Sequence, residues 1–333
     1  MEKKRVNLSR NGFTIVELLT VMGVIAILIG LLVPALAAVR DMAMELKQKA
    51  QFHAIEVGLD MYKKAAIDYP PSNDNSMAPM HLVDQTKYAG ANKLAEALVG
   101  QDFLGFHPNS DYRADGTFSH PGAQPTDPWV LNAPVYHATA DYTPANPAFI
   151  ETRENNIKAR SYRLGTPFVD VSNANAFQMD MVYDTTGRTV ASLGWESVPY
   201  SMVLCDVYTA KRDSGVKTGT PILYYKARTQ FIEQDVTGAG SPGITIANDI
   251  YNFEDNQNIL DLGSVDDPAV SHYWLDDATI ANDYQDFERM ILDKDLTSTI
   301  NRPYRADSYI LVSAGKDGLF GSADDIFNFE TEE

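Results

Sequence analysis

The sequence predicts an α+β protein in which one long N-terminal helix packs on a head built around an antiparallel sheet. Three observations support this fold class. An apolar run begins near residue 18, its helical periodicity continues to about residue 66, and the later chain contains short runs rich in β-branched and aromatic residues. The 333 residues, 44% of them hydrophobic, are enough to bury a sizeable core.

The overall charge restricts the class of partner. The formal net charge is −18, from 45 acidic and 27 basic residues. Most of the molecule would therefore repel a phosphate backbone, and no nucleic-acid partner is expected. Cys205 is the single cysteine, so no intrachain disulfide can form.

The N-terminal region predicts a membrane segment. Between Leu18 and Val39 every side chain is apolar except at four positions, which are Thr20, Gly23, Gly30 and Pro34. A spanning helix needs about 20 such residues. Basic residues precede the run, namely Lys3, Lys4, Arg5 and Arg10, and basic flanks stay on the cytoplasmic side. We therefore expect a single-pass segment with a cytoplasmic N-terminus and an exported head.

Two plain interpretations of this segment compete. The stretch "PALAAV" offers an Ala-x-Ala-like cleavage site, as in a secretory signal, although the apolar run is longer than a usual signal core. A simple membrane anchor is the other possibility. Neither explains Glu17, because an ionisable side chain in a membrane helix is costly and by default indicates a function.

A third interpretation comes from the stretch "GFTIVELLTVMGVIAILIGLLVPAL". It resembles the N-terminal signature of type IV prepilins and type II secretion pseudopilins, and the match extends from Arg10 to Leu36. The resemblance implies that residues 1–12 are a leader ending at Gly12, that Phe13 becomes the N-methylated first residue, and that Glu17 becomes the fifth. It also implies that Pro34 kinks the helix.

The resemblance further implies a structural protein and not an enzyme. The chain would be a subunit of a pseudopilus or type IV pilus-like filament that serves protein secretion. Its partners would be a prepilin peptidase/methyltransferase, other pilin or pseudopilin subunits and an inner-membrane assembly platform. The head would be periplasmic or at the cell surface. A minor tip pilin or adhesin, and a membrane-anchored exported binding protein or enzyme, remain the alternatives.

Elementary electrostatics gives Glu17 a role in this scheme. Cleavage after Gly12 creates a cationic amine on Phe13, and in a stack of parallel helices a neighbour's Glu17 can pair with it in apolar surroundings. Breaking a buried pair costs about 3–5 kcal/mol, because the remaining charge is left alone. Glu17 is therefore predicted to fix the register of assembly.

The helix is expected to run over residues 13–66, with a transmembrane half at 13–39 and a length of roughly 80 Å. Its second half is amphipathic, with a predicted apolar stripe that includes Leu46, Val57 and Met61. Pro70 and Pro71 cannot continue it. The head is therefore predicted to occupy residues 67–333.

Short elements are predicted within the head. "NKLAEALVG" favours a helix with Asn92 as cap and Gly100 as stop, and "NDYQDFERMIL" favours a late helix. Residues 101–176 are expected to form a loop-rich insertion. "MDMVYDTTGRTVASL" suggests a hairpin around Thr186 and Gly187. The runs "YSMVLCDVYT", "PILYYKAR" and "SYILVSAG" predict strands.

Motifs for catalysis are not found. The six histidines show no His-Glu-x-x-His spacing, and there is no Gly-x-Ser-x-Gly elbow. "GAGSPG" matches a dinucleotide-binding pattern in form, but the residues after it favour a strand and not the helix that would hold a phosphate. No catalytic residue is predicted.

One acidic stretch near the C-terminus predicts a metal site. "SAGKDGLFGSADDIFNF" resembles the C-terminal calcium loop of major pseudopilins, which implies that Asp317, Asp325 and also Asp324 bind Ca²⁺. An EF-hand is excluded, because Ser313 and Gly315 would stand where Asp or Asn is needed. The loop has no His or Cys, which argues against zinc or copper. A glycine-rich turn with solvated acids is the alternative.

Overall fold

A computed structural model describes residues 14–72, 89–100, 167–183, 202–212, 215–234, 249–267, 269–275, 287–294 and 301–330. The chain divides into two compact units, Met1–Leu46 and Lys47–Glu333. The predicted leader, the hairpin turn at Thr186 and Gly187, and most of the predicted insertion lie outside the described residues.

The first helix, α1, extends over Ile15–Ala66 and continues through Pro34. This confirms the predicted long helix from Ile15 onward. Its N-terminal part is long and apolar enough to cross a membrane, and that apolar stretch is not buried within the protein. The helix ends where Ile67 takes a positive φ of 77°.

The part of α1 that belongs to the second unit packs with one face into the head. Phe52, Ile55, Leu59 and Tyr62 are buried there at helical spacing. They share a core with residues of α2, Gly90–Val99. The predicted stripe was a different one, because Val57 and Met61 are each 47% exposed. The helix therefore carries two apolar faces, and the head covers the aromatic one.

The head is built on a three-stranded antiparallel sheet of β5 (Leu223–Lys226), β6 (Tyr309–Ser313) and β7 (Ile326–Phe327), with β6 in the centre. Alternate side chains of each strand enter two different cores. Tyr224 and Leu311 enter the core that contains α1, whereas Tyr225 and Val312 enter the core on the opposite face. Both faces are buried, which explains the continuous apolar runs of the sequence.

Further elements surround this sheet. Two short antiparallel pairs are formed by β1 (Ala176–Gln178) with β2 (Met202–Leu204) and by β3 (Ala210–Lys211) with β4 (Lys217–Thr218). Short helical turns are α3 (Val171–Ala174), α4 (Met179–Val182), α5 (Gln257–Leu260) and the 3₁₀ turns Phe253–Asn256 and Tyr273–Leu275. Residues 287–291 are also helical. The architecture confirms the α+β class.

The predicted short elements are mostly confirmed. The three predicted strands contain β2, β5 and β6, and residues 287–291 lie within the predicted late helix. Two expectations were wrong. Residues Met179–Val182 form a helical turn closed by a bond from Tyr183 N to Met179 O, not a strand. Asn92 is not the cap, because α2 already begins at Gly90.

Candidate functional site

The start of α1 contains Glu17, and the structure gives this residue a local partner. The Oε2 atom of Glu17 accepts bonds from the amide and the hydroxyl of Thr14, both at 2.9 Å, and the Glu17 amide donates to Thr14 Oγ1 at 3.2 Å. This is a reciprocal capping box. The spacing Thr-x-x-Glu was visible in the sequence and was missed.

The other residues of the predicted processing and assembly set are placed as follows. Gly12 and Phe13 lie outside the described residues. Pro34 lies inside α1, and the helix continues on both sides of it. A kink at Pro34 stays a prediction.

The predicted calcium loop joins β6 to β7, whose ends are paired through Ser313 and Ile326. Gly315 and Gly318 have φ values of +64° and +72°, which favour glycine. A Cβ on Gly315 would lie 2.2 Å from the carbonyl oxygen of Asp324, so the two ends of the loop touch here. The loop therefore brings residues from both of its ends together.

Each predicted ligand accepts hydrogen bonds from the loop itself. Asp324 Oδ2 accepts from the amides of Lys316 and Asp317, at 2.7 and 3.1 Å, and its Oδ1 accepts from the Ser322 hydroxyl. Asp317 Oδ1 accepts from the Leu319 amide at 2.8 Å.

Asp325 is the most enclosed of the three carboxylates. Its Oδ2 accepts from the Gly321 amide at 2.7 Å. Its Oδ1 is out of contact with solvent, and no atom of the described residues forms a hydrogen bond with it. The Gly321 amide therefore fixes the orientation of this side chain, and one buried oxygen is left for another partner.

The three acids influence one another. Burial raises the pKa of Asp325 to about 8, and the charges of Asp324 and Asp317 add to this effect. The pKa of Asp317 is also raised, by burial and by Asp324. Burial acts to raise the pKa of Asp324, but its bonds from Ser322 and from the amides of Asp317 and Lys316 together lower it. A bound cation would relieve this repulsion.

The donor chemistry of the loop fits a hard cation. In the described part of the chain, no three His, Cys, Asp or Glu side chains converge as a ready metal site. The charge of Asp324 nevertheless acts on Asp317 and raises its pKa, and the Ser322 hydroxyl donates to Oδ1 of Asp324. These oxygens, with Oδ1 of Asp325 and loop carbonyls, are of the type that Ca²⁺ prefers.

The base of the loop is anchored by Asp206, which sequence reasoning missed. This buried carboxylate accepts from Ser313 Oγ and from the amides of Tyr208 and Thr220, each at 3.1 Å. Burial raises its pKa to about 7, against the effect of these bonds. The one available signal was an acid inside the apolar run "VLCDV".

The chain next to Asp206 is also attached to α1, through two buried glutamines. Gln51 Nε2 donates to the carbonyls of Ala174 and Cys205 at 3.1 and 2.8 Å. Gln48 Oε1 accepts from the Val207 amide at 3.0 Å. Residues 205–207 therefore connect the head part of α1 to the base of the loop.

Two curated relatives resemble this chain. The type II secretion system core protein G of Aeromonas hydrophila is 29% identical over 129 residues, which are 39% of this chain and 71% of that protein. The protein of the same name from Escherichia coli strain K12 is 28% identical over 142 residues, which are 41% of this chain and 82% of that protein.

Other comparisons give no match, since no family model and no solved structure is significantly similar to this chain. Both relatives are named as core proteins of a secretion system, which agrees with the expectation of a structural protein and not an enzyme. The N-terminal apolar helix also fits a single-pass membrane anchor. The chain is thus weakly homologous to a type II secretion core protein over about two-fifths of its length.

Proposed function

We propose that this protein is a structural subunit of a secretion pseudopilus. It is inserted in the inner membrane through the N-terminal half of α1, with its N-terminus cytoplasmic and its head exported. A prepilin peptidase/methyltransferase cleaves it after Gly12 and methylates Phe13. The mature subunit then joins other pseudopilins on the inner-membrane assembly platform.

The N-terminal signature carries this proposal. In the sequence, Gly-Phe-x-x-x-Glu runs into α1, a helix of 52 residues whose first half is apolar. The similarity to two type II secretion core proteins supports the same assignment. A secretory signal would need neither the length of that helix nor a glutamate near its start.

Assembly depends on Glu17 in this proposal. Both described hydrogen bonds from Thr14 end on Oε2 of Glu17. The carboxylate can therefore keep its capping role and still present Oε1 to the methylated amine of Phe13 in a neighbouring subunit. Pro34 leaves one backbone carbonyl without its helical partner and supplies a bend for packing of the helices.

The C-terminal loop binds one Ca²⁺ after export in this proposal. The ligands are the carboxylates of Asp317, Asp324 and Asp325, completed by loop carbonyls. Support comes from the repulsion between these three acidic side chains, which a cation would relieve, and from the buried Oδ1 of Asp325. The bound ion neutralises these carboxylates and so stabilises the pairing of β6 with β7 at the ends from which the loop leaves.

A minor tip subunit is the second candidate function. The 129 matched residues are 71% of the Aeromonas hydrophila protein but only 39% of this chain, so this head is larger. A bulky head would crowd a homopolymer. If the protein is a major subunit, it should dominate sheared filaments, whereas a tip subunit should be scarce in them.

Intact mass and N-terminal sequencing of the membrane-extracted protein test the proposal directly. We expect a chain that begins at Phe13, with a mass increased by one methyl group. Co-expression with an inactive prepilin peptidase should leave residues 1–12 attached. A mature N-terminus at Ala38 would instead establish a secretory signal and overturn the pseudopilin assignment.

A further inference from the structure

A short segment of the head is built against the C-terminal loop, and we call residues 272–275 the brace. The Phe320 amide donates to His272 Nδ1 at 3.2 Å, and the Trp274 amide donates to the Phe320 carbonyl at 3.4 Å. Both backbone groups of one loop residue are therefore satisfied by the brace. This segment lies where the family resemblance supplied no expectation.

Side-chain packing reinforces these two bonds. The rings of Trp274 and Phe320 are stacked, with centroids 5.8 Å apart and planes at 19°, and the His272 ring lies 5.0 Å from that of Phe320. A Cβ on Gly321 would lie 2.6 Å from Trp274 Cδ1 and 2.8 Å from its amide nitrogen. Only a glycine lets the loop approach the brace so closely.

The brace itself rests on the second core of the head. Trp274 packs edge-on against Phe287 and Phe253, and its Nε1 donates to Met290 Sδ at 3.2 Å. His272 and Trp274 are 0% and 1% exposed. The brace is therefore a fixed support and not a mobile cover.

Contact with the proposed calcium ligands runs through Gly321. Its amide donates to Oδ2 of Asp325 at 2.7 Å, while its other side lies against Trp274. The position of Gly321 thus sets the direction of the Asp325 carboxylate. Groups that orient a metal ligand in this way affect metal affinity although they do not touch the ion.

We propose that residues 272–275 position the C-terminal loop for calcium, with His272 and Trp274 holding Phe320 and Gly321 so that Asp325 faces the ion. The inference rests on the calcium binding proposed above and gives a function to a head segment that the resemblance left unexplained. His272 and Trp274 are positioning residues, because neither contacts the proposed ion.

The test compares two substitutions of His272 in the full chain in detergent micelles. In His272→Asn the side-chain oxygen can replace Nδ1 as acceptor for the Phe320 amide, whereas His272→Leu removes the acceptor. We expect calorimetric titration with Ca²⁺ to give an affinity about tenfold weaker for the leucine variant, and an affinity within about twofold of the parent for the asparagine variant. Leu98→Ala, in the other core, should lower the melting temperature without changing calcium affinity.

Hydrogen exchange of the Phe320 amide adds a readout that does not need calcium. Exchange should be faster in His272→Leu and close to that of the parent in His272→Asn. If His272→Leu does not fold, Gly321→Ala replaces it, and we expect that variant to weaken calcium binding by a similar factor. Unchanged calcium affinity in a folded His272→Leu or Gly321→Ala variant would overturn only the proposed role of the brace and would leave calcium binding itself in place. A parent chain that binds no Ca²⁺ would overturn both proposals.

Discussion

At the scale of single residues, Glu17 combines two tasks that a substitution can separate. Its Oε2 caps α1 through Thr14, and its charge is proposed to pair with a neighbouring subunit. Glutamine also serves in a capping box. The substitution Glu17→Gln therefore keeps the cap and removes only the charge.

We expect Glu17→Gln to be inserted, cleaved and methylated normally but to enter filaments poorly, because loss of one partner of a buried pair costs about 3–5 kcal/mol. Thr14→Ala is the matched control, since it weakens the cap and keeps the charge. Incorporation is measured as the ratio of sheared filament protein to membrane protein. Equal incorporation of Glu17→Gln and the parent would refute the pairing.

His272 gives the head a measurable response to acid. Burial lowers the pKa of this imidazole from its ordinary value of 6.5 to about 4. The unfolded chain therefore binds a proton on this residue between these values and the folded chain does not. Its contribution to stability is complete above pH 6.5 and is lost progressively down to about pH 4, by at most about 3 kcal/mol.

His272→Asn should lose this part of the acid sensitivity, because asparagine does not titrate. Between pH 7 and pH 4 we expect the melting temperature of the parent to fall by more than that of the variant. Asp206 and Asp255, whose pKa values burial raises to about 7 and 6, act in the opposite direction in both proteins and cancel in the comparison. A difference independent of pH would contradict the neutral, buried histidine.

At the scale of elements, the packing of α1 against the head depends on one position where the helix and the head come very close together. Gly58 lies where α1 crosses residues 168–169, and a Cβ there would be 2.2 Å from Val169 Cγ2 and 3.3 Å from Leu98 Cδ2. Glycine inside a helix normally costs about 1 kcal/mol relative to alanine. Here the space is so restricted that the small residue is required.

Gly58→Ala should therefore destabilise the head by about 1–2 kcal/mol, since overpacking outweighs the gain in helix propensity. Gly30→Ala is the control in the same helix, because no neighbouring atom of the described residues lies within 4 Å of a Cβ at that position. Denaturant unfolding of the full chain in micelles measures both variants. The loss of unfolding free energy in the double variant Gly58→Ala, Val169→Ala should be smaller than the sum of the losses in the two single variants. If the two losses simply add, the clash between these residues is refuted.

Sequence patterns predicted the elements better than their contacts. The strands β5 and β6 are buried on both faces, so they appear as continuous apolar runs that are easy to recognise. The face of α1 that packs on the head was not predicted, because it is selected by residues far away in the chain, such as Val169. The loop between β6 and β7 was singled out by resemblance as a calcium site, but its contacts with His272 and Trp274 follow no periodic pattern.

At the scale of the whole molecule, the head must be stable without a disulfide and with a large excess of negative charge. Cys205 is buried and is the only cysteine. The net charge of −18 adds self-repulsion to the folded state. Calcium would reduce that repulsion locally and would add about 2.7 kcal/mol of stability at a free concentration of 100 times its dissociation constant.

Such a gain should raise the melting temperature of the full chain in micelles by about 5–10 °C when chelator is replaced by Ca²⁺. Mg²⁺ should have little effect, because it needs a tighter octahedral shell. Asp317→Asn should lose the response to calcium. Asp267→Asn should keep it, although Asp267 also accepts a local amide bond, from Ala269 at 2.9 Å. Equal melting temperatures of the parent in chelator and in Ca²⁺ would leave only a glycine-rich acidic turn between β6 and β7.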